Sequence, residues 1–367
     1  MEVPTVSLVI PPSNSIPAEP PKIISAKMLA ESASLTSAIP SAYYFSEDSY
    51  ELADPNDPEF QLPTIDFSLL TSDSPDQRSK MLHELANICR DWGCFLVTNH
   101  GVTESLKQAM IEAADRFFNL TEEEKHNIAK KYEADPTQIR YGTSYNARSE
   151  KVRLWRDFIK LRLHPDFPTL NENDGYSEVA MKYSKKTREI ATELVEAISE
   201  SLGLDPNYIY KALDLDSGVQ FLLANYYPPC PQPELAMGLS HHTDQCLITI
   251  LTDNDVSGLQ VLHNHKWVTV TSTPKTFLVI LADQMQIVTN GKYKSAMHRG
   301  RVNKEAKRIS LASLHGPSFE TLVTPSPVLV EREGKAPLYR SIKYREYVEL
   351  QHRSRMDLKC ALDQILI

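Results

Sequence analysis

Residues 241–262 read HHTDQCLITILTDNDVSGLQVL. Two short apolar segments, Leu247 to Leu251 and Leu259 to Leu262, stand here on either side of a stretch rich in Asp, Asn, Ser and Gly. Apolar runs of this length, bounded by turn formers, read as strands. The same texture extends outward: Val219 to Tyr227 precedes it, and Trp267 to Val270, Phe277 to Leu281, Gln286 to Val288 and Arg308 to Leu314 follow, with Asn290–Gly291 a strong turn signal. Many short strands without regular helices between them argue for a sandwich or jelly roll over a parallel sheet.

The half of the chain before Leu213 reads differently. Met81, Leu82, Leu85, Ile88, Cys89 and Trp92 recur at helical spacing, and Gly93 stops that helix. Cys94 to Thr98 reads as a buried strand closed by Asn99–His100–Gly101. A second helix runs through Leu106, Met110, Ala114 and Phe117, and Thr121 with Glu124 forms a capping box for a third. A long helix is expected from about Ser177 to Leu202, with Ile190, Leu194 and Ile198 inward and Gly203 at its end. The predicted fold is mixed α and β: a jelly-roll (double-stranded β-helix) core flanked by helices, with a helix-rich N-terminal half. Its parts are an N-terminal extension (1–59), an N-terminal region (60–170), a connecting long helix (171–214), the jelly-roll core (215–320) and a C-terminal segment with a helix (321–367). Residues 1 to about 25, rich in Pro and Ser, read as a flexible tail, and Ser46 to Pro63 as a linker.

Composition excludes some partners. With 41% hydrophobic and 24% charged residues the chain can bury a sizeable core, and 39 Lys and Arg against 48 Asp and Glu give a formal charge of −9. A phosphate-gripping protein carries the opposite excess, so nucleic acid is not an expected partner. The five cysteines, Cys89, Cys94, Cys230, Cys246 and Cys360, form no C-x-x-C pair and no disulfide framework, which fits a reducing compartment. No apolar run is long enough for a bilayer and no secretory or organellar signal stands out, so a cytoplasmic location is expected; a monomer is the further expectation, which no residue pattern carries.

Four features of the β-rich half carry chemistry: His242–Thr243–Asp244, His298, Arg308 with Ser310, and Tyr227. On an extended strand, residues two apart point to the same side, so His242 and Asp244 can converge on one point. A third ligand from another strand, naturally His298 after the Asn290–Gly291 turn, would complete the facial arrangement of two imidazoles and one carboxylate that holds non-haem iron(II). An H-x-D tripeptide is a weak motif alone. Arg308, ten residues past His298, adds weight, because in Arg308–Ile309–Ser310–Leu311 the arginine and serine share one strand face. An arginine aimed into a barrel needs an anionic partner, and the distal carboxylate of a dicarboxylate would supply one.

The chain also resembles the soluble iron(II)- and 2-oxoglutarate-dependent dioxygenases of plant hormone and specialised metabolism, over about residues 60 to 360. The likeness lies in Asp91–Trp92–Gly93–Cys94–Phe95, Asn99–His100–Gly101–Val102, Asn225–Tyr226–Tyr227–Pro228–Pro229–Cys230–Pro231, Gly258–Leu259–Gln260–Val261, Asn290–Gly291–Lys292–Tyr293–Lys294–Ser295 and Arg308–Ile309–Ser310. Members named after hyoscyamine 6-dioxygenase and flavanone 3-dioxygenase are similar. The resemblance implies iron(II) on His242, Asp244 and His298, and 2-oxoglutarate anchored by Arg308 and Ser310 with Tyr227 and Asn225 near its other end. Dioxygen is the further co-substrate, and ascorbate a supporting reductant. The implied reaction hydroxylates, desaturates or demethylates a small molecule and releases succinate and carbon dioxide.

His241 precedes His242, and strand parity with Asp244 selects His242. Ala282–Asp283–Gln284 stands where the family often has Gly-Asp-Gln; a local backbone adjustment with retained chemistry is expected there. Leu223 and Leu314 share parity with the implied site and are candidate pocket walls, which favours a lipophilic substrate. Tyr141 and Tyr145, in a loop-like stretch, are candidate lid residues, while Trp155 reads as core. Two alternatives stay open: an ascorbate-dependent oxidase of the ethylene-forming type, and a non-catalytic small-molecule binding protein on the same scaffold.

Overall fold

The computed structural model describes residues 24–32, 38–45, 50–135, 137–144, 150, 152–168, 176–357 and 361–367. The chain runs α1 (Ala26–Glu31), β1 (Glu51–Leu52), β2 (Thr64–Asp66), α2 (Phe67–Leu70), α3 (Pro75–Asp91), β3 (Cys94–Thr98), α4 (Glu104–Asn119), α5 (Glu122–Lys130), β4 (Ile139–Thr143), β5 (Asp157–His164), α6 (Tyr176–Ser201) and α7 (Tyr208–Ala212). It continues through β6 (Val219–Tyr227), β7 (Leu239–His242), β8 (Ile248–Asp253), β9 (Leu259–His263), β10 (Lys266–Thr269), β11 (Phe277–Leu281), α8 (Asp283–Val288), β12 (His298–Gly300) and β13 (Arg308–Gly316). β14 (Leu322–Val323), α9 (Pro327–Glu333), β15 (Ile342–Lys343) and α10 (Tyr344–Asp357) complete it.

Periodicity explains the helices. In α3 the buried residues Met81, Leu85, Ile88 and Cys89 form one stripe, with Pro75 in the first turn and Arg90 in the last. Gly93 ends it at φ +68, and a Cβ there would come within 2.4 Å of the Lys294 carbonyl oxygen. Glycine is therefore required twice over, by conformation and by space. The Thr121–Glu124 capping box is present on α5. In the long α6, Ile190, Leu194 and Ile198 face inward as expected.

Two sheets form the jelly roll. The larger has the order β2-β3-β11-β8-β13-β6-β5-β4 and the smaller β1-β10-β9-β12-β7. Alternation along β13 assigns the faces. Ile309 and Leu311 belong to the large hydrophobic core shared with α3, α4 and α6. Arg308 and Ser310 take the opposite face, towards the smaller sheet. There, Cys94, Leu278 and Ile280 of the large sheet pack with Leu259, Val261 and Val268 of the small one in a second apolar cluster. The N-terminal region is no separate layer, since β2, β3, β4 and β5 all belong to the large sheet.

Two local expectations change. Gln286 to Val288, read as a strand, lies in α8. A short apolar run is ambiguous between strand and helix. Here the Ala282 carbonyl accepts from the Met285 and Gln286 amides, and the expected turn at Asn290 and Gly291, at φ +52 and +78, closes the helix. The stretch read as a linker supplies β1, which pairs with β10, and the buried Phe60. Asp and Pro there disguise a strand whose pairing is non-local. Residues 1–23, the greater part of the expected tail, and Tyr145 lie outside the described residues. Trp155 is fully buried, as expected of a core residue.

Candidate metal and co-substrate site

β7 and β12 are antiparallel neighbours with His242 opposite His298, which brings the two rings to a centroid distance of 4.2 Å. Asp244 lies two residues on, just past the end of β7, so the carboxylate arrives from the loop and not from the strand itself. Its Oδ1 is 3.6 Å from His242 Nε2 and 3.8 Å from His298 Nε2. The donor atoms of all three residues lie within 4.8 Å of one another. His241 is exposed and takes no part in this cluster.

Both histidines are held alike. His242 Nδ1 is 2.9 Å from the Ser240 carbonyl oxygen, and His298 Nδ1 is 3.0 Å from that of Ala296. A carbonyl only accepts, so Nδ1 carries the proton and each Nε2 turns a lone pair to the centre. Thr249 donates to Asp244 Oδ2 at 2.6 Å and leaves Oδ1 facing the imidazoles. Burial alone would raise the Asp244 carboxyl, but His298, His242 and the Thr249 hydroxyl outweigh it and hold its pKa well below the ordinary range. Two imidazoles and an ionised carboxylate converging in a buried place are a donor set that fits iron(II).

The other cluster sits on the inner face of the large sheet. Register places Arg308 opposite Tyr227, and Ser310 opposite Asn225 on one side and Asp253 on the other. Asn225 Nδ2 donates to Ser310 Oγ at 3.2 Å, while Arg156 donates to Asn225 Oδ1 at 2.8 Å. The Arg308 guanidinium lies over the Tyr227 ring, 5.4 Å from its centroid. Gly258 makes room for it, since a Cβ there would stand 2.9 Å from Arg308 Cδ.

Arg308 is buried, and the anionic partner its burial demands is internal. Its Nη2 donates to Asp253 Oδ2 at 2.9 Å and its Nε to the Val256 carbonyl at 3.0 Å. Asp253 also accepts from the Ser272 hydroxyl. The need for a guest carboxylate to neutralise a buried charge is thus met by the protein, and Arg308 offers its remaining hydrogens as directional donors.

Leu223 and Leu314 occupy the same face. Leu223 is half-buried opposite Ala312, and Leu314 is buried opposite Phe221 and Thr249. Tyr141 does not join them. It lies in β4, not in a loop, and its register with Ile159 turns it to the helix side, edge-on to Phe117 at 6.2 Å. The residue reading missed Thr249, Asp253 and Arg156. The first two had a signal: polar side chains four residues apart, and so on one face, in the otherwise largely apolar β8.

Comparison with known proteins identifies the family. The description "2OG-Fe(II) oxygenase superfamily" matches residues 218–317, and "non-haem dioxygenase in morphine synthesis N-terminal" matches residues 62–183. The 2-oxoglutarate-dependent dioxygenase 19 of Oryza sativa subsp. japonica is 40% identical over 311 residues, covering 84% of this chain and 91% of that protein. Flavanone 3-dioxygenase 2 of the same plant is 37% identical over 323 residues, covering 83% and 91%. Among solved structures, JOX2 in complex with 2OG, Fe and JA superposes with a TM-score of 0.76 at 29% identity, covering 94% of this chain and 98% of that one.

The chain therefore belongs to the 2OG-Fe(II) oxygenase superfamily, on the jelly-roll fold of that family. It is an iron(II)- and 2-oxoglutarate-dependent oxidoreductase, which favours the first of the three readings above.

Proposed function

We propose that His242, Asp244 and His298 hold the iron, that Arg308 and Ser310 anchor the distal carboxylate of 2-oxoglutarate, and that the substrate is a small lipophilic molecule. The observation that carries the reading is the set of three donors within 4.8 Å, with each histidine Nδ1 tied to a carbonyl two residues back. Bound there, iron(II) with 2-oxoglutarate supplies the oxidising power for hydroxylation, desaturation or demethylation.

The chain's own residues bind and orient. Arg308, steadied by Asp253 and Val256, presents donors from a fixed guanidinium plane, and the Ser310 hydroxyl is free to donate while Asn225 donates to it. Tyr227 lies against the guanidinium and Asn225 beside Ser310, so both flank the co-substrate. Leu223 and Leu314 continue the same inner face as apolar walls that exclude water and suit a lipophilic substrate. The core proposed for this chemistry is residues 215–320.

The reading includes a cytoplasmic monomer that takes neither nucleic acid nor membrane as partner. Its supports are the acidic balance of the sequence and four buried, unpaired cysteines, Cys89, Cys94, Cys230 and Cys246. Among the described residues no helix is long and apolar enough to cross a membrane.

The test needs no known substrate. Iron(II) and then 2-oxoglutarate are added to the protein without oxygen, and the visible charge-transfer band of the chelate is recorded. A band in the wild type that disappears in Asp244→Ala is the expected result. No band despite measured iron binding would overturn the co-substrate assignment, and no iron binding would overturn the metal assignment.

A further inference from the structure

Five consecutive carbonyls, from Thr243 to Leu247, carry Asp244 out of β7 and into β8. Each one is hydrogen-bonded from outside that segment. Gln351 Nε2 of α10 donates to Thr243 at 2.9 Å. The Asp283 amide donates to Asp244 at 2.9 Å, Gln284 Nε2 to Gln245 at 2.9 Å, the Gln284 amide to Cys246 at 3.0 Å and the Ala282 amide to Leu247 at 3.1 Å. Buried carbonyls are nearly always hydrogen-bonded, by protein or by ordered water. Here Ala282, Asp283, Gln284 and one helix side chain satisfy the whole row.

The Asp283 side chain extends the frame. Its Oδ2 accepts from the Tyr347 hydroxyl at 2.7 Å and from Gln351 Nε2 at 3.4 Å, and its Oδ1 accepts from Ser295 at 2.7 Å. Ser295 in turn donates its amide to Gln286 Oε1 at 2.7 Å. The next residue, Ala296, supplies the carbonyl that orients His298. One buried carboxylate therefore ties together the loop of Asp244, the approach to His298, and α10. Ala282 fits the place at φ −119, so no glycine is needed there.

We propose that Asp283, Gln284, Tyr347 and Gln351 are positioning residues for the metal centre, and that α10 thereby sets how tightly iron is held. The inference rests on the assignment of iron to His242, Asp244 and His298. None of the four touches the donor atoms; they fix the backbone from which two of the three ligands project. Residues that orient metal ligands from behind are worth about 10- to 100-fold in metal affinity.

The experiment is an iron(II) titration of the full-length metal-free protein under nitrogen, read as bound iron, beside the melting temperature of the metal-free form and kcat and KM for 2-oxoglutarate. Gln351→Leu and Gln351→Glu, which both remove the donor, are expected to raise the iron half-saturation about tenfold or more. Their metal-free melting temperature should stay within a few degrees of the wild type, and the 2-oxoglutarate KM at saturating iron should be unchanged. Tyr347→Phe, which removes one oxygen atom, should give a smaller shift in the same direction. Arg353→Ala, which breaks only the exposed pair with Glu349 on the same helix, should change nothing. Iron half-saturation within twofold of the wild type in both Gln351 variants would overturn the proposal, and so would an equal loss in Arg353→Ala. Should the Gln351 variants fail to fold, Tyr347→Phe alone decides by the same criterion. Failure of the wild type to bind iron would instead strike the metal assignment itself.

Discussion

On the smaller sheet and the loop that follows β7, His242, Asp244 and His298 turn three metal-type donor atoms on one point. On the facing inner side of the large sheet, Arg308 has already spent part of its guanidinium on Asp253 and Val256. The first cluster gathers three metal-type ligands, and the second contains its own ion pair. The difference teaches what each guest must contribute. A metal ion at the triad supplies the charge that holds the ligands together, whereas a carboxylate at Arg308 adds hydrogen bonds to a pair that is neutral without it. Loss at the triad should accordingly be all-or-none, and loss at the arginine graded.

The largest effect expected is at the triad. His298→Gln should abolish iron-dependent turnover while circular dichroism shows the fold intact, because the inner sheet contacts do not depend on that ring. Retained turnover with 2-oxoglutarate would break the comparison at its stronger end.

Next comes the ion pair. Arg308→Gln leaves Asp253 buried and unpaired and should cost about 3–5 kcal/mol in denaturant unfolding. The same change should raise the 2-oxoglutarate half-saturation at least tenfold with iron affinity little altered. Asp253→Asn should also destabilise, yet 2-oxoglutarate should bind it at least as tightly as the wild type, since the guanidinium then lacks its internal partner. The double variant should recover part of the stability and none of the 2-oxoglutarate binding. A tighter wild type than Asp253→Asn would show that the internal pair orients the arginine more than it competes with the guest.

Much of this was legible in residue order, and the reason is periodicity. Parity along β13 put Arg308 and Ser310 on one face, and parity past β7 selected His242 over His241. The long helices were plain because several turns of the same stripe repeat. What stayed hidden is what arises only when distant segments meet. Asp253 stands 55 residues from Arg308 in the chain, and nothing local announces that pairing. β1 carries two residues and gains its strand identity from β10 alone. α8 escaped because its apolar run is too short to show a period, and its polar start, Asp283–Gln284, is explained only by the carbonyls it faces. Ala282 in place of the usual glycine pointed to that spot without revealing its use.

The apolar walls should respond more weakly and differently from each other. Leu314→Ala removes a buried side chain and should cost about 2–5 kcal/mol of stability. Leu223→Ala, half-buried on the same face, should cost less than about 1 kcal/mol and act instead on KM for the organic substrate. Equal destabilisation by the two would place Leu223 in the closed core and remove it from the pocket.

The effect with the least consequence for the site separates loss of fold from loss of site. His315, at the far end of the strand that begins with Arg308, is buried, with Nε2 3.0 Å from Ser313 Oγ. Burial first, and the charge of Arg188 second, push its pKa down from 6.5 to about 3. A base whose folded pKa is depressed takes up a proton more readily when unfolded, so its stabilising effect is complete above pH 6.5 and drains away as the pH falls towards 3. Between pH 7 and pH 5 this amounts to roughly 2 kcal/mol. His315→Gln should flatten that part of the stability profile measured by denaturant unfolding, while the charge-transfer band at pH 7 stays as in the wild type. A variant that keeps the acid slope would move its origin to groups other than His315.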